Sequence, residues 1–173
     1  MRILFLWLTL GMFLFSKDAM YFMPFESKNA LEDIISELKN AKSSVYIAIY
    51  NFTNKEIAKA IRDSAKKGVQ YTIIFDEESN KENDKSQIGF LAKLKNIKVC
   101  TLRGLQSKNG KYYGIMHNKL ALIDNRIIIL GSANWSKSAF EINYESLLIS
   151  DNAAYVSGAR KYMDKILQNC LDF

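Results

Sequence analysis

The sequence is poor in three residue types that often carry catalytic or structural chemistry. Its 173 residues contain one histidine, His117, one proline, Pro24, and two cysteines, Cys100 and Cys170. One histidine and two cysteines are too few and too far apart for a structural zinc site within one chain. One proline leaves no proline-rich linker. A single histidine excludes a mechanism in which two imidazoles of the same chain transfer protons. The two cysteines either form a disulfide, as in an exported protein, or stay as buried thiols.

The rest of the composition is that of a globular protein. Apolar residues make up 49% and charged residues 24% of the chain, which excludes disorder as the main state. A chain of this length forms one domain with a sizeable core. The net charge of +6 and the pI of about 9.2 suit an anionic partner, such as nucleic acid or an anionic membrane surface. A soluble basic protein without such a partner fits the charge equally well.

The first residues, MRILFLWLTLGMFLF, combine Arg2 with an apolar run at 3–15. A run of roughly 13 residues is too short to span a bilayer comfortably as a helix and is typical of an export signal. We therefore predict an export signal or an uncleaved membrane tether at 1–19 and a folded domain at 20–173. The protein is then exported, either periplasmic or tethered to the membrane and facing the periplasm. Removing 1–19 takes away two basic residues and one acidic residue, so the net charge falls by only one from +6.

Apolar periodicity predicts alternating helices and strands from residue 27 onward. A capping box, Thr53 to Glu56, opens the second helix, and Gly68 follows its end. Polar stretches at 76–87 and 103–114 predict loops. Helices are predicted at 27–42, 53–67, 88–95 and 152–170, and strands at 44–52, 69–75, 97–102, 115–123, 126–131 and 144–150. This order predicts an α/β fold in which a mixed, mainly parallel sheet is sandwiched between helices.

The single histidine lies two residues before a lysine in the predicted strand 115–123. Alternate side chains of a strand face the same way, so His117 and Lys119 are expected to project from one face. An imidazole beside a fixed cation suits an anion, because the ammonium binds phosphate oxygens while the imidazole attacks or transfers a proton. The alternative is a half-buried histidine and a solvated lysine on an edge strand.

The next predicted strand ends at the sequence GSANW. Gly131 permits a close backbone approach, and Ser132 and Asn134 are again two residues apart. If this strand pairs with 115–123, a hydroxyl and an amide arrive beside the histidine and the lysine. Glu145, at the start of a later strand, could accept from one imidazole nitrogen and leave the other free. The alternatives are an ordinary turn for GSAN and an exposed surface acid for Glu145.

The stretch HNKLALIDNRIIILGSAN fits the pattern H-x-K-x4-D-x6-G-S-x-N and resembles the signature motif of the phospholipase D superfamily. The upstream stretches VYIAIYNFTN and GVQYTIIFD are similar to the small bacterial endonucleases of that superfamily, which carry one motif per chain. The resemblance covers most of 27–170. It implies a phospholipase D-like nuclease domain that forms a two-fold dimer.

The resemblance also implies a role for each matching residue. His117 would be the nucleophile that forms a phosphohistidine, and Lys119 and Asn134 would bind the phosphate oxygens. Ser132 would assist through a hydrogen bond, and Glu145 would orient the imidazole. Asp124 and Gly131 also match the motif; the aspartate is expected to hold the turn between two strands without touching substrate.

A phosphodiester reaction through His117 also needs a general acid for the leaving oxygen. Since the chain has no second histidine, we predict that a two-fold dimer brings two copies of His117 to one site. The small endonucleases that the chain resembles are built in this way. The residues of the motif include no carboxylate cluster, so we expect catalysis without a metal and without a cofactor.

The motif defines the chemistry but leaves the substrate open. DNA is favoured, with single strands preferred and RNA as a further substrate, because the chain is basic and aromatic side chains flank the motif. The residues proposed to contact nucleic acid are Arg103, Lys108, Lys111, Tyr113, Trp135 and Lys137. One alternative is a phospholipase acting on a lipid such as cardiolipin, for which the apolar N-terminus would provide membrane association. Another is a nucleic-acid-binding module without turnover.

Overall fold

The computed structural model describes residues 17–173. Within this range eight strands and six helices follow one another along the chain. The strands are β1 Asp18–Met23, β2 Ser44–Ile49, β3 Gln70–Asp76, β4 Ile97–Leu102, β5 Lys119–Ile123, β6 Ile127–Gly131, β7 Glu145–Ser150 and β8 Leu171–Asp172. The helices are α1 Ser27–Asn40, α2 Lys55–Lys66, α3 Glu77–Lys81, α4 Ile88–Leu91, α5 Lys137–Glu141 and α6 Ala153–Leu167.

The strands form one mixed sheet in the order β1-β7-β6-β5-β2-β3-β4-β8. Only β2–β3 and β3–β4 pair in parallel, and the other described pairs are antiparallel. The α/β class and the mixed sheet are confirmed, whereas the prediction of a mainly parallel sheet is wrong. The reason is the short connection between β5 and β6, which is a tight turn at Asp124 and Asn125. Parallel neighbours need crossovers of a dozen or more residues.

Helices cover both faces of the sheet, as predicted. The larger core cluster joins one sheet face to α1, α2, α4 and α5, with Ile34, Ile57 and Phe140 among its fully buried side chains. On the other face α6 buries Met163 and Val156 against β2, β5 and neighbouring strands. Burial of these apolar side chains is the main favourable term in folding.

Several predicted boundaries differ from the structure. The sheet begins at Asp18, which pairs with Ser150, two residues before the predicted domain start. Asn54, and not Thr53, caps α2, because its side chain accepts from the N–H groups of Glu56 and Ile57. The segment predicted as a loop at 76–87 contains α3, and 88–95 is helical only over α4. The predicted signal or tether falls almost wholly on 1–16, outside the described residues.

Cys100 and Cys170 form a disulfide with their Cα atoms 5.7 Å apart. The sequence leaves open whether the two cysteines are bonded or stay as buried thiols, and the structure shows the bond. The bond ties β4 to the residues after α6, where β8 adds to the sheet edge. Within residues 17–173 no helix is long and apolar enough to cross a membrane.

Candidate active site

The motif residues other than Asp124 gather at one end of the sheet. There β5 and β7 begin while β2, β3 and β6 end, because these two groups of strands run in opposite directions. Lys119 pairs with Ile49, and Gly131 pairs with Leu147. The predicted hairpin of the two motif strands therefore exists and places both halves of the motif at the same end.

His117 lies just before β5 and not within it. Its exposed imidazole packs on the ring of Tyr50, with the ring centroids 4.5 Å apart and the planes tilted by 59°. The neighbouring Asn118 carbonyl accepts a hydrogen bond from the Tyr50 N–H. The predicted strand 115–123 thus begins at residue 119, because the residues before it leave the ladder. Strand alternation therefore does not extend to the histidine, but His117 and Lys119 both lie against the ring of Tyr50.

Lys119 is buried, with only 4% of its surface exposed, so the alternative of a solvated lysine is wrong. Its Nζ donates to the His117 carbonyl at 3.0 Å and lies 5.0 Å from the centroid of the Tyr50 ring. Burial lowers the pKa of this lysine, and the negative charges of Glu145 and Asp76 act in the opposite direction. An ammonium removed from water interacts more strongly with an arriving anion than a solvated one does.

The end of β6 lies unusually close to the start of β7. A Cβ atom on Gly131 would lie 2.1 Å from the carbonyl oxygen of Ser146, so only glycine fits there. Ser132 Oγ donates to the Glu145 carboxylate and accepts from the Ser146 N–H at 3.1 Å. The other oxygen of Glu145 accepts from Asn143. Within the described chain the carboxylate therefore binds the serine, and its bond to the imidazole stays a prediction.

Asn134 is half-buried, and its Oδ1 is buried without a hydrogen-bond partner among the described residues. The Oδ1 of Asn51 is also buried without a partner among the described residues. The backbone carbonyl of Asn51 accepts from the Trp135 N–H. A buried polar atom without a partner has a free-energy cost of about 1–3 kcal/mol. An amide oxygen only accepts hydrogen bonds, so contact with a phosphate oxygen would use the amide N–H groups of Asn134, and this contact stays a prediction.

Asp124 lies at the opposite end of the sheet, in the β5–β6 turn where it was predicted. Its carboxylate accepts from the N–H groups of Lys42, Ser43 and Ser44 and so also ties the α1–β2 connection to this turn. Burial alone would raise the pKa of this carboxyl, but the hydrogen bonds, first from Ser44, lower it below its ordinary value. The residue is structural and remote from the histidine.

Two residues near the histidine were missed by the sequence analysis. Asp76, fully buried at the end of β3, accepts from the Met116 N–H at 2.9 Å and from the Ser79 N–H at 3.0 Å. It therefore fixes the backbone immediately before His117. An acidic residue at the end of a buried strand is a sequence signal for such a role, but the sequence pattern places Asp76 in the polar stretch 76–87 that predicts a loop. The other missed residue is Tyr50, whose ring packs on the imidazole and lies 5.0 Å from the Lys119 Nζ.

We expect Tyr50→Leu to lower kcat by about tenfold, since aromatic and cation–π contacts are each worth about 0.5–2 kcal/mol. KM should change little, because the contacts of the ring are to His117 and Lys119, the residues predicted to carry the chemistry. The ring also favours the charged form of Lys119, so its loss should move the alkaline limb of the pH–rate profile to lower pH. Tyr50→Phe keeps the ring and is the matched control. An unchanged profile in the leucine variant would show that Tyr50 only fills space.

A groove of about 830 Å³ extends from His117 to Lys165. Arg103 lines it, held by Glu77 at 2.8 Å and by the ring of Tyr113 at 5.9 Å. Of the other residues proposed to contact nucleic acid, Lys108, Lys111 and Lys137 are exposed. Trp135 is 1% exposed and packs edge-on against Phe52, so its proposed stacking on a base is wrong.

Fold and site together are those of the phospholipase D superfamily, in its small single-domain form. A family model described as "Cardiolipin synthase, PLD-like domain" matches residues 34–167, which include the whole motif. The chain belongs to this family.

Similar structures and relatives agree with that assignment. NucT from Helicobacter pylori is 49% identical, covers 91% of this chain and 99% of its own, and superposes with a TM-score of 0.89. Nuc from Salmonella typhimurium, a phospholipase D family member, shares the fold at 23% identity with a TM-score of 0.75. The match covers 91% of this chain and 98% of Nuc. The mitochondrial cardiolipin hydrolase of Mus musculus is 30% identical over 130 residues, 75% of this chain and 54% of that protein. The chain thus spans about half the length of the mammalian relatives it matches.

Proposed function

We propose that the protein is a metal-independent endonuclease that hydrolyses DNA through a phosphohistidine on His117. The observation that carries this proposal is the exposed imidazole held by Tyr50 beside the buried ammonium of Lys119. An exposed nucleophile that lines a groove, with a desolvated cation near the same tyrosine ring, suits attack on a phosphodiester.

The reaction has two steps. A nitrogen of His117 attacks phosphorus, the bond from phosphorus to the leaving oxygen breaks, and an acid gives that oxygen its proton. Water then attacks the phosphohistidine, transfers a proton to the same group and releases the free imidazole. Lys119 and Asn134 stabilise the negative charge on the other phosphate oxygens in both steps.

The acid in this scheme is the His117 of a second copy, so the active unit is a two-fold dimer with one shared site. An apolar patch at the same end of the molecule supports this proposal. Phe25 is 82% exposed, Ile142 73% and Tyr144 84%, and the rings of the two aromatic residues lie 6.2 Å apart. Exposed apolar groups of this kind mark interaction surfaces.

Nucleic acid is favoured as substrate by the groove. Arg103 offers a guanidinium to phosphate, and Tyr113 and Tyr162 line the same groove, where they can stack on unpaired bases. Single strands of DNA are therefore the preferred substrate, with RNA as a further one. The second candidate is a lipid phosphodiester, favoured by the similarity to proteins named mitochondrial cardiolipin hydrolase. Purified protein assayed on DNA, RNA and cardiolipin, with His117→Ala as control, distinguishes these substrates.

Cleavage should persist in excess EDTA. The proposed chemistry uses an imidazole, an ammonium and amide and hydroxyl groups, and within 17–173 no cluster of three His, Cys, Asp or Glu residues could hold a metal ion. The rate of DNA cleavage with and without chelator is the measurement. Complete loss in EDTA that magnesium restores would refute the metal-independent mechanism.

We further propose that the protein is exported and acts outside the cytoplasm. The apolar run at 3–15 and the Cys100–Cys170 disulfide support this location, because disulfides persist mainly in oxidising compartments. Cell fractionation is the test, and a full-length chain found only in the soluble cytoplasm would contradict it.

A further inference from the structure

The end of the sheet opposite His117 collects basic side chains from several connections. These connections join α1 to β2, α2 to β3, α4 to β4 and β5 to β6, and they meet there because of the strand directions. The basic end is defined by Lys39, Lys42, Lys66, Lys67, Lys93, Lys95 and Arg126, and all seven are exposed. The five-residue length of β5 separates this end from Lys119 by roughly 17 Å at about 3.3 Å per residue.

The charges of the basic end are not neutralised by the described part of the chain. None of the seven side chains forms an ion pair within residues 17–173, whereas Lys98, at the start of β4 near this end, pairs with Asp172, and Lys81 and Arg103 near the other end also form ion pairs. Asp18, Asp124 and Asp151 also lie at this end; Asp124 accepts three backbone N–H groups, and Asp151 accepts the Lys17 N–H. The seven basic side chains outnumber these carboxylates, so part of the excess positive charge of the protein faces away from the active site.

Lys17, the first described residue, lies at this same end. It precedes β1, and its backbone pairs with Asp151 just after β7. Its ammonium is bound by Glu37 near the end of α1. The described part of the chain therefore begins beside the basic end and not beside the groove.

We propose that the basic end docks on an anionic phospholipid surface while the active-site groove faces away from it. A polybasic patch strengthens the attachment of a protein to an anionic membrane surface. Each lysine near an anionic surface adds about 1 kcal/mol. A two-fold axis that runs through the groove along the strands would present both basic ends of a dimer to one membrane.

Nucleic acid is the competing occupant of a basic surface. A strand bound at the basic end would lie a sheet length from His117 and could not be cleaved there. The same geometry places His117 out of reach of the lipid on which the protein docks, which disfavours that membrane as its substrate. The inference does not depend on the nuclease proposal, because it concerns only the end away from the motif.

Lysine footprinting tests the orientation directly. The full chain is incorporated into vesicles of phosphatidylcholine alone or of phosphatidylcholine with phosphatidylglycerol, and a membrane-impermeant amine-reactive ester is added. We compare labelling of Lys66 and Lys67 with labelling of Lys55 and Lys59, which are exposed nearer the other end of α2. Anionic vesicles should lower the labelling ratio by about fivefold, the factor that corresponds to one lysine contact. An equal ratio on both vesicles would overturn the proposal.

A pair of charge reversals provides the matched control. Lys66→Glu/Lys67→Glu should abolish the protection of Lys93 and Lys95 on anionic vesicles, and Lys55→Glu/Lys59→Glu should leave it intact. Equal loss in both variants would refute a defined docking end. Protection of Lys93 and Lys95 by a single-stranded oligonucleotide without vesicles would assign this end to nucleic acid and overturn the proposal.

Discussion

Replacing Lys119 by methionine should lower kcat by about 10²–10³-fold, because loss of one preorganised donor to a developing oxyanion costs about 2.7–4 kcal/mol. Thermal stability should stay equal or rise. The lysine is 4% exposed and burial lowers its pKa, so the folded state carries a cost for the buried charge that methionine removes. Methionine also fills the space that alanine would leave empty. Turnover and melting temperature of the two proteins are the measurements.

The pH dependence of stability is an independent test of the cost of burying the Lys119 charge. Because the pKa of Lys119 is lowered in the fold, the unfolded chain holds this proton more tightly. The stability of the wild type should therefore rise with pH from the lowered pKa up to the ordinary lysine value, and the methionine variant should lack this contribution. Lys59→Met, at an exposed position of α2, is the control. A melting temperature that falls in parallel with activity would mean that the lysine is structural.

The motif was predictable because its residues lie close together in the sequence. The spacing of His117, Lys119, Ser132 and Asn134 needs only one hairpin to bring both halves to one end of a sheet, and β5 and β6 form that hairpin. The groups that hold the histidine come from far away in the sequence. Tyr50, just after β2, packs on the imidazole, and Asp76 at the end of β3 holds the backbone of Met116 just before it. Such contacts depend on how the strands are ordered in space.

Burial was the property least predictable from the sequence. Lys119 and Trp135 are the two clearest cases, one a charged residue and one an aromatic residue beside the motif. Lys119 is buried because β5 is an inner strand between β2 and β6, and not the edge strand that a solvated lysine would need. Trp135 is buried because residues after β6 bridge to Phe52. Strand order, and not residue type, determines both outcomes.

A purified heterodimer of wild-type and His117→Ala chains should be almost inactive. The proposed reaction needs a nucleophile and an acid at one phosphorus, and each chain supplies one imidazole. A heterodimer holds either a nucleophile without its acid or an acid without its nucleophile. Differently tagged chains produced together allow the three dimers to be separated and their DNA cleavage rates to be compared. In an unseparated equal mixture, roughly a quarter of the dimers should keep full activity, as random two-fold assembly requires.

The size of the loss separates a shared site from two independent ones. If each chain worked alone, the heterodimer would keep half of the wild-type activity, and so would the mixture. A second heterodimer, of wild-type and Lys59→Ala chains, controls for damage caused by tags or exchange and should be fully active. A monomeric active species in gel filtration would also refute the shared site. Near-complete loss confined to the His117 heterodimer would mean that the second proton-transfer group, missing from one chain, is the same histidine of the other.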